Sequence, residues 1–514
     1  MAEKTDSAVA AEYLIHTEEA LGTLPQEENP QLDNILNRKF DLHILPRLFV
    51  IWSVSPFLPP EPLPFAQQPP SHSSLFSFID RSNIGNARLA DLPEDLGIAG
   101  VGTQFNLALL VFYIPYILVD VPSNLLLKRF RAGTYLPSLI TAWGVVCLCI
   151  GFVKSYAGLI ICRLLLGLFE GGILGGVIIY LAMFYKRHEM LYRSGLFYCV
   201  APLSGAFGGL LAGALGNIEV GGYERWPWIF FVEGAATVVF GIVCFFFMPD
   251  TPTASRFLTD EERDWALKRM KIDASGSTAL ETVDEERFDW FWVWTAIKSP
   301  QMWFCAGVWF FLLVRLYSFS LFLPSIVSGM GYTSTIAQLF TVPPNMAGFV
   351  VVILTAHFSD KVRNRGGFIA AGTVIGIAGY VMLLVSDQNA VKYAGTFLIA
   401  MGVFQASPML MGWVANNLAP HYVRAVGVGI VISIANCSAF IGTFIYLQRD
   451  ACKYALGHSI NLSALVITFF LTGLQVAYLS WENKKRDREE RDVRLVESNV
   501  HRLGHRYPAF RCTL

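Results

Sequence analysis

The chain contains 514 residues, of which 54% are hydrophobic and only 15% are charged, and its mean hydropathy is +0.46. Soluble globular proteins carry about 25% charged residues, whereas here the apolar residues form continuous blocks, several as long as the ~20 residues of helix that cross a bilayer. The composition therefore predicts an all-α polytopic membrane protein and excludes closed β-barrels, whose strands alternate in polarity.

Charge and cysteine content exclude further classes. The net charge is -1 at pH 7, and the basic residues occur in short clusters between apolar blocks, unlike a nucleic-acid-binding surface. The nine cysteines are scattered, with no C-x-x-C pair and no metal-ligand spacing. We therefore expect no nucleic-acid partner, no metal and no other cofactor.

The N-terminal region contains an interruption. Residues 1–39 are polar and are predicted to form a disordered cytoplasmic tail. The apolar run 42–52 rises only about 16 Å as a helix, against about 30 Å of hydrocarbon. Residues 53–74 contain seven prolines and cannot be helical, and apolar character resumes at residue 75.

Removing residues 54–73 joins the two apolar runs into one spanning helix. We therefore interpret this Pro-rich stretch as an insert within the first helix. It begins with Val54-Ser55, which a common splice-donor sequence would encode, and this favours a retained intron. The alternative is a genuine extracellular or re-entrant loop, because irregular backbone at membrane depth is tolerated where protein buries it.

Asp80 and Arg81 form an acid–base pair that the joined helix would place near mid-membrane. Ionisable residues inside spanning helices are costly and usually functional. A carboxylate can carry a proton, and a guanidinium can hold a substrate carboxylate in a bidentate fork. The pair indicates a proton-coupled carrier of small organic anions, and a structural ion pair is the alternative.

Eleven further apolar segments follow, six spans on each side of a polar loop, so about twelve transmembrane helices form two pseudo-symmetric halves. The predicted domains are an N-terminal half at 40–248, a cytoplasmic central loop at 249–298, a C-terminal half at 299–482 and a cytoplasmic tail at 483–514. Spans two to twelve are predicted at 104–125, 135–153, 157–185, 194–215, 228–248, 302–326, 336–358, 367–385, 393–415, 425–447 and 462–481.

The distribution of Lys and Arg predicts the orientation. Basic clusters follow helices two, four, eight and twelve, whereas the opposite connections are poor in basic residues. Because cytoplasmic loops carry the excess of Lys and Arg, both termini and the central loop should be cytoplasmic. Paired six-helix halves are typical of alternating-access carriers, with the substrate site near the midplane between them.

Several strings resemble a known family. "SDKVRNRGG" between helices eight and nine, "RLLLGLFEGG" in helix four and "APLSGAFGGLLAG" in helix five resemble motifs of the major facilitator superfamily. More narrowly, "DRSNIGNAR", "YIPYILVDVPSNLLLKR", "RWPWIFFVEGAATVVFG", "YSFSLFLPSIV" and the ending "YPAFRCTL" resemble the fungal allantoate permease branch of the anion:cation symporters. That branch includes carriers of nicotinate, allantoate and pantothenate.

The resemblance implies roles for particular residues. It implies proton carriers at Asp80 and Glu170 and a substrate carboxylate on Arg81, with Arg163 in helix four as a further substrate-binding residue. Residues 163 and 170 are two helical turns apart and share a face. A structural role in packing helix four against helix one is an equal alternative for this pair. Asp360 and Lys361, in the loop motif after helix eight, are implied to gate the conformational change.

Further substrate contacts are predicted more weakly. Arg315 in helix seven is unusual for the family and suggests a substrate-specific contact, although snorkelling to the interface is as plausible. Tyr113 can stack an aromatic acid, but such aromatics usually pack. Asn83, Asn417 and Asn436 can hydrogen-bond substrate, although interhelical bonds are the commoner use of such residues.

Secondary active transport is the leading functional interpretation: proton-coupled uptake of a small carboxylate at the plasma membrane by a monomer. The expected partners are the anion, protons and the lipid bilayer. The chief alternative is a transporter-like nutrient sensor without net transport, although the short tails argue against it. An enzyme is not expected, since no nucleophile–base constellation lies at membrane depth.

Overall fold

The computed structural model describes residues 30–43, 83–98, 103–185, 187–215, 218–220, 223–252, 254–255, 257–276, 290–362, 364–419, 421–447, 454–492, 504–508 and 510–513. Apart from one short antiparallel hairpin, β1 (Glu219–Val220) and β2 (Tyr223–Glu224), the regular structure of these residues is helical. The Pro-rich stretch 54–73 lies outside the described residues.

The N-terminal half and central loop contain nine helices among the described residues, and residues 83–88 are helical as well. The nine are α1 Pro30–His43, α2 Leu92–Asp95, α3 Gln104–Arg129, α4 Ala132–Ile150, α5 Tyr156–Glu170, α6 Ile173–Ala182, α7 Arg187–Leu215, α8 Trp226–Phe247 and α9 Asp260–Gly276.

The remaining helices of the described residues begin with α10, which precedes the C-terminal half, and a short 3₁₀ turn, Gly504–Arg506, lies in the tail. They are α10 Trp290–Ile297, α11 Pro300–Ser328, α12 Ser334–Leu339, α13 Val342–Val362, α14 Arg365–Val385, α15 Asn389–Phe404, α16 Ala406–Asn416, α17 His421–Asn436, α18 Ala439–Gly442 and α19 Ala455–Asp487.

Length and apolar composition confirm the polytopic class. Among the described residues, eight helical stretches are long and apolar enough to cross a membrane, and shorter apolar helices lie at 104–120, 201–215 and 426–442. Many of the apolar side chains on these helices are exposed, such as Leu118, Phe246 and Val385. Exposed apolar surface of this kind fits contact with lipid.

The two halves repeat the same packing. Helix α4 packs along α8 in the first half, and α14 packs along α19 in the second. Likewise α3 packs on α5, and α13 packs on α15. The halves meet where α7 contacts α12, α13, α15 and α16, and where α3 contacts α17 and α18. The architecture is therefore the two-bundle fold expected from the sequence.

Four predicted spans are broken rather than continuous. The fourth breaks at Gly171-Gly172, where a Cβ on Gly171 would lie 2.6 Å from the Tyr116 carbonyl oxygen. The tenth breaks after Phe404, because Pro408 has no N–H that could donate to the Phe404 carbonyl. The eighth and eleventh break at 340–341 and 437–438.

The N-terminal helix corrects the prediction of a disordered tail for residues 30–39. Helix α1 lies on α9 of the central loop. The Lys39 ammonium pairs with Glu262 at 2.6 Å, the Trp265 indole N–H donates to Asp33 at 2.9 Å, and Phe40 is fully buried. Helix α1 and helix α9 of the central loop therefore form one packed unit.

Candidate functional site

A small cavity lies between the two halves. Helical segment 83–88, α3 and α7 supply its wall in the first half, and α11, α13 and α15 supply its wall in the second. The lining residues are Asn86, Tyr113, Ala201, Ser204, Gly205, Leu316, Tyr317, Ser320, Leu321, Leu323, Pro324, Thr341, Asn345 and Phe404. Its surface is therefore mainly apolar and aromatic, with a few amide and hydroxyl groups.

Two tyrosines form an aromatic wall that bridges the halves. The rings of Tyr113 and Tyr317 are 5.0 Å apart between centroids and tilted by 54°. The Tyr317 hydroxyl donates to Asn436 Oδ1 at 2.8 Å. Asn436, a predicted substrate contact, thus lies behind Tyr317 and fixes that ring rather than lining the cavity.

A buried carboxylate is connected to the cavity by hydrogen bonds through two asparagines. The amide nitrogen of Asn83 donates to Glu233 Oε2 at 2.5 Å, and Asn86 Nδ2 donates to Asn83 Oδ1 at 3.1 Å. All three side chains are at most 3% exposed. Asn83, predicted to contact substrate, is therefore one hydrogen bond behind Asn86, which lines the cavity.

Arg163 and Glu170 occupy one buried face of α5, as the two-turn spacing predicted. They are 2% and 1% exposed. Between them Gly167 lies against Phe112 of α3, so this face points toward α3 and the bundle interior. Neither residue lines the cavity. The pair is well placed to respond to movement of α3, whose Tyr113 does line it.

Arg315 is completely buried in α11. Its three guanidinium nitrogens form no hydrogen bond with the described residues. The next two residues, Leu316 and Tyr317, line the cavity. A buried cation thus lies directly behind the cavity wall, and snorkelling to the interface is wrong for this residue.

One end of the cavity is closed by bonds between the halves. The Ser334 hydroxyl donates to the Leu89 carbonyl at 2.5 Å, and Gln338 Nε2 donates to the Asn86 carbonyl at 3.2 Å. On the same side Asn106 Nδ2 donates to the Thr443 carbonyl at 2.5 Å. This end would face outward in the orientation that the Lys and Arg distribution predicts.

Asn417 holds the C-terminal segment instead of lining the cavity. Its Oδ1 accepts from the Thr513 N–H at 3.0 Å, and its Nδ2 donates to the Thr513 carbonyl at 3.1 Å. The Trp413 indole N–H also donates to that carbonyl, at 2.9 Å. Asn417 is therefore bonded to the C-terminal segment and does not line the cavity, and the substrate contact predicted for it stays a prediction.

The other predicted residues lie elsewhere. Asp80 and Arg81 are outside the described residues, as is the side chain of Asp360, whose backbone lies in the last turn of α13. Lys361 is exposed at the same helix end. Among the described residues, no group of three His, Cys, Asp or Glu side chains is placed to hold a metal ion.

Glu233 and Asn86 are site residues that the sequence prediction missed. The signal for Glu233 was present, since it is the single charged residue of the apolar span α8, and an intramembrane carboxylate is a functional candidate by default. Asn86 gave no comparable signal, because its position on the cavity depends on the packing of segment 83–88 against the second half.

Two mirrored helical bundles around a buried central cavity define a membrane transport protein. The chain belongs to the Major Facilitator Superfamily, whose family model matches residues 72–443. The match begins at the end of the Pro-rich stretch.

Named relatives and solved structures agree with this assignment. An uncharacterized transporter of Schizosaccharomyces pombe is 37% identical over 80% of this chain and 81% of its own. The high-affinity nicotinic acid transporter of Saccharomyces cerevisiae is 30% identical over 94% of this chain and 84% of its own. The crystal structure of a bacterial homolog of the human lysosomal transporter Spinster, inward-facing and unoccupied, has a TM-score of 0.58 at 13% identity, over 79% of this chain and 94% of that one.

Proposed function

We propose that this transporter takes up a small organic anion, a carboxylate such as nicotinate, together with protons, by alternating access. The observation that carries the proposal is the central cavity, with the buried guanidinium of Arg315 behind one wall and the buried carboxylate of Glu233 behind the other. The relative named as a nicotinic acid transporter supports the substrate class.

The cavity suits a flat, singly charged molecule. Tyr113 and Tyr317 offer aromatic faces for stacking an aromatic acid, and Asn86, Asn345 and Ser320 offer polar groups that fix orientation. Arg315, with Arg81 and Arg163, supplies the positive potential that a carboxylate needs in a low-dielectric site.

Protons supply the driving force in this proposal. Entry of an anion into a negative-inside cell is opposed by about 2.3 kcal/mol per charge per 100 mV. One co-transported proton cancels the charge, and a second makes the cycle electrically favourable. Asp80 and Glu170 are the proposed carriers, because protonation would release Arg81 or Arg163 to bind the anion.

Alternating access follows from the two-bundle architecture. The bonds of Ser334, Gln338 and Asn106 close one end of the cavity, and we propose that they break when the opposite end closes. Asp360 and Lys361 are the proposed gating residues at that opposite end. We place the protein in the plasma membrane as a monomer with both termini cytoplasmic.

Radiolabelled uptake tests the proposal. Cells that express the protein should accumulate one member of a panel of nicotinate, pantothenate, allantoate and neutral analogues, and accumulate it faster in acidic medium. Uptake that prefers a neutral analogue or ignores external pH would contradict the proposal. Binding without accumulation would indicate a nutrient sensor instead.

The proposed carriers have a test of their own. The double variant Asp80→Asn/Glu170→Gln should still exchange the anion across the membrane, because neutral side chains mimic the protonated acids. It should accumulate the anion less than the wild-type protein does. An unchanged accumulation ratio would remove both acids from the coupling mechanism.

A further inference from the structure

The chain Glu233–Asn83–Asn86 joins a buried acid to the cavity through two side-chain amides. Glu233 lies on α8, and Asn83 and Asn86 are three residues apart on one face of helical segment 83–88. The backbone carbonyl of Asn86 also accepts a hydrogen bond from the Gln338 side chain of the second half. The acid is therefore linked both to the cavity surface and to the contact that closes one end.

The observed direction of these hydrogen bonds is the one that an ionised Glu233 requires. An ionised carboxylate only accepts, so Asn83 must present its amide nitrogen to Glu233 and its carbonyl oxygen to Asn86. Asn86 then uses its own amide nitrogen on Asn83. Its Oδ1 accepts no hydrogen bond from the described residues. The cavity end of the chain is thus an acceptor, which disfavours an anion.

A proton on Glu233 would reverse the chain. A carboxylic acid donates through its hydroxyl, so the Asn83 carboxamide would turn to accept that bond and would donate to Asn86. Asn86 would turn in the same way and present its amide nitrogen at the cavity end. No covalent bond changes other than the O–H bond formed on Glu233.

We propose that Glu233, Asn83 and Asn86 form a proton-operated hydrogen-bond relay that changes the cavity group from an acceptor to a donor and so couples proton binding to anion binding. The inference rests on the proposed anion transport and adds Glu233 as a third proton-binding group beside Asp80 and Glu170. Reciprocity of linkage requires that bound anion also strengthens proton binding at Glu233.

Among the described residues, few other charged groups lie on the elements packed against α8, and Glu224 of β2 is one of them. Helix α8 carries no other charged side chain, and α4, packed along it, carries only the titratable Tyr135, Cys147 and Cys149. The charged residues of α7 all fall in its first seven positions. On segment 83–88 the Arg88 guanidinium lies over the rings of Phe105 and Phe322, and Asp80 and Arg81 precede the segment.

Two variants should fix the relay in opposite states. Glu233→Gln offers an amide donor at every pH, so its affinity for nicotinate should remain at the value that wild-type protein reaches in acid. Asn86→Ala removes the cavity donor, so its affinity should remain at the weaker neutral-pH value. A hydrogen bond to a charged group predicts a difference of about tenfold or more between these states.

Equilibrium binding of radiolabelled nicotinate to purified protein, at mildly acidic and neutral pH, measures these affinities. Glu94→Gln, the same change at an exposed acid, is the matched control and should keep the wild-type pH dependence. Infrared difference spectra between the two pH values should show a carboxylic acid band that Glu233→Gln lacks, a readout that needs no ligand.

The outcomes separate this inference from the proposed function. Wild-type protein that accumulates nicotinate in a pH-dependent way, together with Glu233→Gln that keeps the wild-type pH dependence of binding, would overturn the relay alone. Wild-type uptake that ignores pH would overturn the proton coupling on which the relay depends. Opposite, pH-independent affinities in the two variants would establish the relay.

Discussion

At the scale of single residues, the buried guanidinium of Arg315 is the strongest pointer to an anionic ligand. It is fully buried and hydrogen-bonds to none of the described residues, an arrangement that costs stability unless something compensates the charge. A carboxylate in the adjacent cavity would do so. By the same reasoning we expect a neutral substrate to fit this site less well.

Replacing Arg315 should weaken substrate binding. The attraction between two unit charges is on the order of 1–4 kcal/mol at about 4 Å and weakens with distance. Arg315→Gln should therefore raise the KM of uptake about tenfold, and Arg315→Lys should raise it less. Arg131→Lys, at an exposed position, is the control. An unchanged KM in Arg315→Gln at normal surface expression would remove this residue from the site.

Asn417 should act on stability rather than on transport. Asn417→Ala removes two hydrogen bonds to Thr513 and should cost about 1–3 kcal/mol, seen as earlier thermal unfolding of the purified protein with an unchanged KM. Asn416→Ala, its less buried neighbour, is the control. A raised KM with unchanged stability would restore Asn417 as a substrate contact.

These residues show what sequence can predict about the site. The face shared by Arg163 and Glu170 followed from helical spacing, because both lie on one element. The role of Asn417 did not, because its partner is 96 residues away along the chain. Glu233 was missed although, like Asp80, it is an ionisable residue in an apolar span and so a functional candidate. Its link to the cavity depends on helix packing.

At the scale of elements, segment 83–88 and α11 touch closely at Gly85. A Cβ at this position would overlap the carbonyl oxygen of Leu321. A glycine is required there because the obstacle is backbone, which cannot move aside as a side chain can. This contact between the halves therefore has room for the glycine hydrogen but not for a side chain.

Gly85→Ala should disfavour the conformation in which these helices touch. The variant should reach the cell surface but transport more slowly, since one state of the cycle is destabilised. Gly429→Ala provides the comparison, because nothing lies within 4 Å of a Cβ at that position. Equal transport rates for the two alanine variants would show that the close contact is not part of the cycle.

The docking of α1 on α9 should depend on pH through Glu262. Burial alone would raise the pKa of this carboxyl, but hydrogen bonds from Lys39 and Thr259 and the Lys39 charge lower the pKa below its ordinary value of 4.5. A lowered folded-state pKa stabilises the packed form above that ordinary value, and the stabilisation is lost as pH falls through the lowered pKa.

A spin label at the exposed position Ile35 measures this docking. The label should become more mobile in wild-type protein as pH falls below the ordinary carboxyl range. Glu262→Gln should show that mobility already at neutral pH, and Glu261→Gln, its exposed neighbour, should behave as wild type. A mobility that is the same in all three proteins would show that the Lys39–Glu262 pair does not hold α1.

The elements also show where sequence prediction stops. Apolar block length predicted the two six-helix halves, because the bilayer sets the length of a spanning helix. The distribution of basic residues predicted the orientation, which stays a prediction. The breaks in four spans were not predicted, since glycine and proline occur within membrane helices with and without breaks. The helix at 30–43 depends on a partner, α9, more than 200 residues away.

At the scale of the whole molecule, the fold places the cavity between the two halves, and the proposed alternating access would expose it to either side of the membrane in turn. The described bonds between the halves lie at one end, on Ser334, Gln338 and Asn106. Among the described residues, the acids and bases proposed for coupling, Arg163, Glu170 and Glu233, lie on helices that pack behind the cavity wall. Proton movement and substrate movement would therefore share one structural transition.

Uptake into proteoliposomes under an imposed proton gradient tests this account most directly. With acid outside, the purified protein should drive radiolabelled nicotinate inward against its concentration gradient, with simultaneous alkalinisation of the medium, and a protonophore should abolish both. Nicotinate that only equilibrates along its own gradient, with no proton movement, would contradict proton-coupled anion transport.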